Sequence, residues 1–130
     1  NVLNHCTVGT TTDLDFGAIP GLIRSDHDQT STISLNCTRR TAWNVALSNG
    51  QNAVDSTRRM RLGSTGNYVD YELYRNAGRT LRWGQTVGGD TETGTGEGTA
   101  QSLTVHGRVA APQNVPAGNY RDTVIVTLTY

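Results

Sequence analysis

A helix needs about 20 consecutive apolar residues to cross a bilayer, and the sequence lacks an apolar run of nearly that length. It also lacks lysine, and its eleven arginines are balanced by eleven acidic residues. A formal net charge of zero provides no general attraction for a phosphate backbone, so nucleic acid is not an expected partner. The composition therefore predicts neither membrane insertion nor nucleic-acid binding.

Residues that could catalyse a reaction or hold a metal are also few. His5, His27 and His106 are widely separated and lack the spacing of metal ligands. Residues 94–98 are glycine-rich, but they have no lysine and no helical pattern after them, so we expect no phosphate binding there. The sequence also has no nucleophile elbow. We therefore predict no enzymatic activity, no cofactor and no metal.

Helical periodicity is absent, whereas short alternating runs recur between turn signals, as in an antiparallel sandwich. The length of 130 residues fits a single domain, residues 1–130. Residues 84–99 have almost no apolar side chains and are predicted to form a long surface loop. Predicted strands cover residues 2–8, 14–17, 31–37, 43–47, 58–62, 68–74, 101–109 and 120–130, with a brief strand near Leu81 and Trp83.

The last eleven residues alternate between apolar and polar side chains up to the final position. A half-buried strand of this kind needs a neighbour on each side. No later residue of the sequence can supply the second neighbour, so we expect the backbone of another molecule to pair there. One face of this strand would carry Tyr120, Val124, Val126, Leu128 and Tyr130, with Asp122 as the polar exception.

The two cysteines, Cys6 and Cys37, lie in a β-rich context. An even number of cysteines in a small, loop-rich chain favours a disulfide and an oxidising compartment, with two buried free thiols as the alternative. Tyr120 is predicted to form a tyrosine corner, in which its hydroxyl group binds backbone upstream. Trp43 and Trp83 fall at positions where the alternation places core residues, so a core role is favoured over stacking against sugars.

An unusual apolar segment surrounds Gly21 in a predicted connection, and it contains Ile19, Pro20, Leu22 and Ile23. Two interpretations are open. The segment folds back to cap the core, or it forms an exposed apolar loop that contacts a partner or a surface. The four apolar residues are therefore candidates for a surface contact.

Several motifs together resemble the spore coat protein U domain family, which includes the subunits of archaic, Csu-type chaperone–usher pili. The motifs follow the family order over nearly the whole chain. They are Cys6-Thr7-Val8, Leu14-Asp15-Phe16-Gly17, the strand at 33–37, Trp43-Asn44-Val45, Tyr71-Glu72-Leu73-Tyr74-Arg75, Trp83-Gly84, Gly107-Arg108-Val109 and residues 116–124.

The resemblance implies an all-β, immunoglobulin-like antiparallel sandwich that lacks its last strand and is completed by donor-strand complementation. Val124, Val126, Leu128 and Tyr130 would line one wall of the resulting groove, and Val8 would line the other. In the family, a periplasmic chaperone fills the groove before the N-terminal extension of a neighbouring subunit replaces it. The resemblance also implies that basic chaperone residues hold the Tyr130 carboxylate, and that Cys6–Cys37 ties the first strand to the second.

The function implied by the resemblance is that of a structural or tip subunit of a bacterial surface pilus, serving adhesion and biofilm formation. Its partners would be the periplasmic chaperone, the outer-membrane usher and neighbouring subunits. The protein would be exported through the periplasm to the cell surface, with a spore or cyst coat as the alternative destination. A self-contained secreted β-sandwich that binds carbohydrate or forms a coat is the alternative function.

The sequence departs from the pilin pattern at its start, because only five residues precede Cys6. A donor strand would need about ten residues, since each extended residue spans only about 3.3 Å. Val2 and Leu3 resemble the remnant of such a segment. Three explanations remain open: the donor segment was removed, the chain is a tip domain that only receives a strand, or the protein does not polymerise.

Overall fold

A computed structural model describes residues 3–11 and 14–130, with only the backbone at positions 10 and 11. Within these ranges the chain is all β, and none of it forms a helix long and apolar enough to span a membrane. The strands are β1 (Cys6–Thr11), β2 (Leu22–Ile23), β3 (His27–Cys37), β4 (Ala42–Leu47), β5 (Arg58–Leu62), β6 (Tyr68–Tyr74), β7 (Glu92–Thr95), β8 (Ala100–Val109), β9 (Gln113–Asn114), β10 (Tyr120–Arg121) and β11 (Val126–Thr129).

The strands form two main sheets and a short ribbon. Sheet 1 has the order β1-β3-β8-β6-β5-β10, sheet 2 has the order β11-β4-β7, and β2 pairs with β9. Neighbouring strands are antiparallel throughout. Apolar side chains of both sheets meet in one core, so the predicted immunoglobulin-like antiparallel sandwich is confirmed.

Strands with regular alternation were predicted most accurately. β5 and β6 have the predicted bounds, and β4 and β8 each begin one residue earlier than predicted. On β6, Val69, Tyr71 and Leu73 are buried, as their alternation indicated. β3 begins four residues earlier than predicted, at His27. Its first four residues carry no buried apolar side chain, so the alternation in the sequence does not reveal them.

The prediction of an uninterrupted surface loop over residues 84–99 is wrong, because β7 lies within it and pairs with β4. Gly94 is opposite Trp43 in this pair, and a Cβ atom at Gly94 would lie 2.3 Å from Cζ2 of Trp43. The inner face of β7 therefore has a glycine under the indole ring instead of an apolar side chain. This arrangement removes the alternation by which a strand is recognised in sequence.

The N-terminal strand predictions also need correction. β1 begins at Cys6 and continues to Thr11, while the predicted residue Val2 lies outside the described residues. Residues 14–17 are not a strand; Leu14 and Phe16 instead pack over Gly107. A Cβ atom at Gly107 would lie 2.5 Å from Cδ2 of Leu14, so glycine is required for this approach. Near Leu81 and Trp83, the predicted brief strand is reduced to an isolated bridge between Tyr74 and Arg82.

The apolar segment around Gly21 caps the core, because Ile19 is 2% exposed and Ile23 is 0% exposed. The Ile19 amide donates to the carbonyl of Gly118 at 2.8 Å, and β2 pairs with β9. A surface contact through Ile19 and Ile23 is therefore ruled out by their burial. Pro20 and Leu22 are exposed.

The predicted disulfide is confirmed, since Cys6 and Cys37 are bonded and tie β1 to β3. Trp43 and Trp83 both lie in the core, as predicted. The indole nitrogen of Trp83 donates to the carbonyl of Val45 at 2.9 Å, which links the loop after β6 to sheet 2.

The predicted tyrosine corner is present, because the Tyr120 hydroxyl donates to the Pro116 carbonyl at 2.6 Å. We expect Tyr120→Phe to lower the free energy of unfolding by about 1 kcal/mol, since one partly buried hydrogen bond is lost. Urea unfolding would measure the change. Tyr74→Phe is the control, because no hydrogen bond of its hydroxyl is seen among the described residues, and equal midpoints for the two variants would contradict this role.

Candidate functional site

The predicted terminal strand is divided between the two sheets. β10 pairs with β5 in sheet 1, whereas β11 pairs with β4 in sheet 2. The prediction of one continuous strand over residues 120–130 is therefore wrong, although the alternation of its side chains is real. Residues 122–125 cross from one sheet to the other, and residues 122–124 line one side of an open cleft.

Asp122 holds this crossing in place. One carboxylate oxygen accepts the Gln51 amide at 2.9 Å and the side-chain amide of Asn52 at 3.1 Å, and the other accepts the Tyr71 hydroxyl. A Cβ atom at Gly50, which has φ of 89°, would lie 2.0 Å from the carboxylate, so glycine is required. Burial, followed by the hydrogen bond to Asp122, raises the pKa of Tyr71, so its hydroxyl remains a proton donor.

The cleft has a volume of about 640 Å³ and reaches the core between the sheets. Residues 14–17 form one side, and residues 119–124 with Val126 form the other. Phe16 makes an edge-to-face contact with Tyr71, with ring centroids 6.3 Å apart. The inner lining is mostly apolar and comprises Ile33, Leu47, Met60, Tyr71, Leu73 and Val105, together with Ser31.

The edge of β11 that faces away from β4 has backbone groups available for pairing. The Ser48 amide donates to the Ile125 carbonyl at 3.0 Å, which makes this a hydrogen-bonded pair of the antiparallel ladder. Because such pairs alternate along the ladder, the backbone groups of Val126 and Leu128 point away from β4. Within the described residues, no strand pairs with that edge.

β1 presents a second edge of the same kind. The Thr38 amide donates to the His5 carbonyl at 2.8 Å, so the backbone groups of Cys6 and Val8 point away from β3. No described strand pairs with this edge either. The rings of His5 and Tyr130 meet edge to face with centroids 6.0 Å apart, so the two edges approach each other at one end. The cleft lies towards their other end, where it is lined by Val126 of β11 and by Ile33, the residue opposite Thr11 of β1.

The residues predicted to line the groove lie on or next to β1 and β11. Val124 and Val126 line the cleft, and Leu128 lies further along β11, half-buried against the core. Val8 is 43% exposed and Tyr130 is 55% exposed. Sequence reasoning missed Leu14, Phe16 and Tyr71 as lining residues. Asp122 is the polar exception in the alternating pattern, but nothing in the sequence indicates its three partners.

The fold and the cleft together define a class of protein, an immunoglobulin-like β-sandwich whose core is reached through an open side between two unpaired edges in the described part of the chain. The model of the Spore Coat Protein U domain matches residues 1–127, so the chain belongs to that family. The resemblance inferred from the motifs is thereby confirmed. The family is structural rather than enzymatic.

The chain is similar to known proteins. "Protein U" of Myxococcus xanthus is 33% identical over 147 residues, covering 100% of this chain and 80% of that protein. A solved structure from Acinetobacter baumannii is similar with a TM-score of 0.73 and 21% sequence identity, over 99% of this chain. It is the pre-assembly complex of a chaperone, CsuC, with a tip adhesion subunit, CsuE, of archaic chaperone–usher Csu pili. The chain spans 40% of the matched chain in that structure.

Proposed function

We propose that the protein is a structural or tip subunit of a bacterial chaperone–usher surface pilus, assembled by donor-strand complementation. The cleft beside the outer edge of β11 is the observation that carries this proposal. A strand placed there would pair with the backbone of Val126 and Leu128. Its alternate side chains would enter the cleft and cover apolar core residues, which is the physical basis of β-augmentation.

The proposed partners follow from this geometry and from the family. A periplasmic chaperone would supply the strand first, a neighbouring subunit would replace it, and an outer-membrane usher would pass the subunit to the cell surface. Val8, Val124, Val126, Leu128 and Tyr130 would contact the incoming strand. Adhesion and biofilm formation are the proposed roles of the assembled fibre.

The proposal is tested by adding a peptide of about ten residues with alternating apolar side chains and following thermal unfolding. At a peptide concentration of 100 times Kd, a ligand of the folded state adds about 2.7 kcal/mol, which corresponds to a Tm increase of roughly 10 °C here. A scrambled peptide of the same composition, without alternation, should have no effect, because its apolar side chains would not all face the cleft.

Two variants on β11 provide a matched control. Val126→Asp places a charge in the cleft lining and should abolish the Tm increase, whereas Thr127→Asp on the opposite face should preserve it. A monomer that melts cooperatively and does not respond to either peptide would contradict the proposal. That result would favour the alternative of a self-contained sandwich module.

A further inference from the structure

A cluster of arginines lies on the outer face of sheet 1, and of its members only Arg121 also borders the cleft. Arg61 is directly opposite Arg121 of β10 on one side and Tyr68 of β6 on the other. Arg59 lies two residues before Arg61 and on the same face. Since Arg58 and Met60 point into the core, Arg59 and Arg61 must point outwards. We refer to Arg59, Arg61, Arg121 and Tyr68 as the arginine cluster.

The charge of the arginine cluster is not neutralised within the described residues. No carboxylate there lies within 4.0 Å of these three guanidinium groups, whereas Arg58, Arg79, Arg82 and Arg108 all have acidic partners. Asp70 is opposite Arg59 in the ladder, yet the two do not form an ion pair. Like charges directly opposite each other in a sheet are destabilising, so the pair Arg61 and Arg121 opposes folding.

Neutral groups hold two of the guanidinium groups in place. The Arg59 guanidinium lies 3.8 Å from the centroid of the Tyr68 ring and donates to the carbonyl of Asn52 at 2.8 Å. Arg61 donates to the carbonyls of Ser64 and Thr65 at 3.0 and 2.6 Å. These contacts restrict the side chains without cancelling their charge, so less conformational entropy is lost when an anion binds.

We propose that the arginine cluster binds an acidic polysaccharide through its carboxylate or sulfate groups. Guanidinium groups match such oxygens with paired hydrogen bonds, and several fixed cations on a flat face suit a linear polyanion. Protein interfaces usually have a buried apolar centre, whereas the residues hydrogen-bonded beside the cluster are polar, including Asn52, Ser64 and Thr65. Polysaccharide is therefore favoured over a protein partner.

The test measures the affinity of the folded protein for heparin, polygalacturonate, neutral dextran and poly-L-glutamate at low and high salt. We expect salt-sensitive binding to at least one acidic polysaccharide and none to dextran. The double variant Arg61→Gln/Arg121→Gln should lose affinity by about tenfold or more, because two charge-assisted contacts are removed. Its Tm should change little, because removal of the like-charge pair offsets the loss of the exposed hydrogen bonds from Arg61 to Ser64 and Thr65.

The matched control is Arg24→Gln/Arg39→Gln, which removes the same charge from two other exposed positions. This control should change the affinity less than twofold. An equal loss in both double variants, binding to poly-L-glutamate alone, or no binding to either acidic polysaccharide would each overturn the proposal. These outcomes are separate from those of the peptide experiment, because the two experiments use different ligands and Arg121 is the only member of the arginine cluster that borders the cleft.

Discussion

Replacing Arg58 with alanine is expected to lower the free energy of unfolding by about 3–5 kcal/mol. The Arg58 side chain is 0% exposed and donates to the carbonyls of Leu47, Ser48 and Trp83 as well as to Glu72. Its removal would leave three backbone acceptors and a carboxylate without this partner. It would also separate β5 from the end of β4 and from the loop that carries Trp83.

The charge and the shape of Arg58 can be tested separately. Burial lowers the pKa of Arg58, and the neighbouring carboxylate of Glu72 opposes this shift. Arg58→Lys keeps a cation but cannot reach several acceptors in one plane, so it should recover only part of the lost stability.

Chemical unfolding in urea measures these changes, and Arg59→Ala is the matched control. Arg59 is the next residue on the strand and lies on the outer face over Tyr68. Loss of its cation–π contact and of its hydrogen bond to the Asn52 carbonyl should cost about 1–2 kcal/mol. Equal losses in Arg58→Ala and Arg59→Ala would show that the buried network does not stabilise the fold.

Removing the disulfide with Cys6→Ala/Cys37→Ala is expected to cost about 3–4 kcal/mol, as calculated from chain entropy for a loop of this size. The bond joins residues separated by 31 positions. It also fastens β1, which pairs with a strand on only one side among the described residues. We therefore expect β1 to detach more readily than the strands in the middle of sheet 1.

Hydrogen exchange distinguishes local detachment of β1 from destabilisation of the whole domain. In the double alanine variant, the amide of Thr7 should lose protection by a larger factor than amides in β8, which lies between two strands. Reduced wild-type protein should behave like the variant, since both lack the same bond. Uniform loss of protection over β1 and β8 would contradict a specific role in fastening β1.

Part of the cleft was predictable from sequence, and part was not. Val124 and Val126 were placed in a groove because their alternation and the family motifs indicated it. The contact of Asp122 with Tyr71 joins residues 51 positions apart, so no local pattern could reveal it. Leu14 and Phe16 gave a strand-like pattern, but they line the cleft because Gly107 allows their side chains to approach sheet 1 closely.

Burial also decided between interpretations that the sequence left open. Ile19 and Ile23 could have formed an exposed apolar loop, and their apolar character alone did not exclude it. Hydrogen bonds to the segment around Gly118 and the pairing of β2 with β9 bring both side chains into the core. Pro20 and Leu22, between them, stay exposed.

The sequence by itself determined the β class, the inner faces of β4, β5, β6 and β8 and the family, because alternation and motifs are properties of neighbouring residues. It favoured the disulfide through the even number of cysteines. Only the tertiary structure decided that residues 120–130 divide between two sheets, that β7 passes beneath Trp43, and that Arg58 is buried. Each of these depends on which distant segments are in contact. Such contacts are set by packing and by pairing of backbone groups, which a local pattern does not specify.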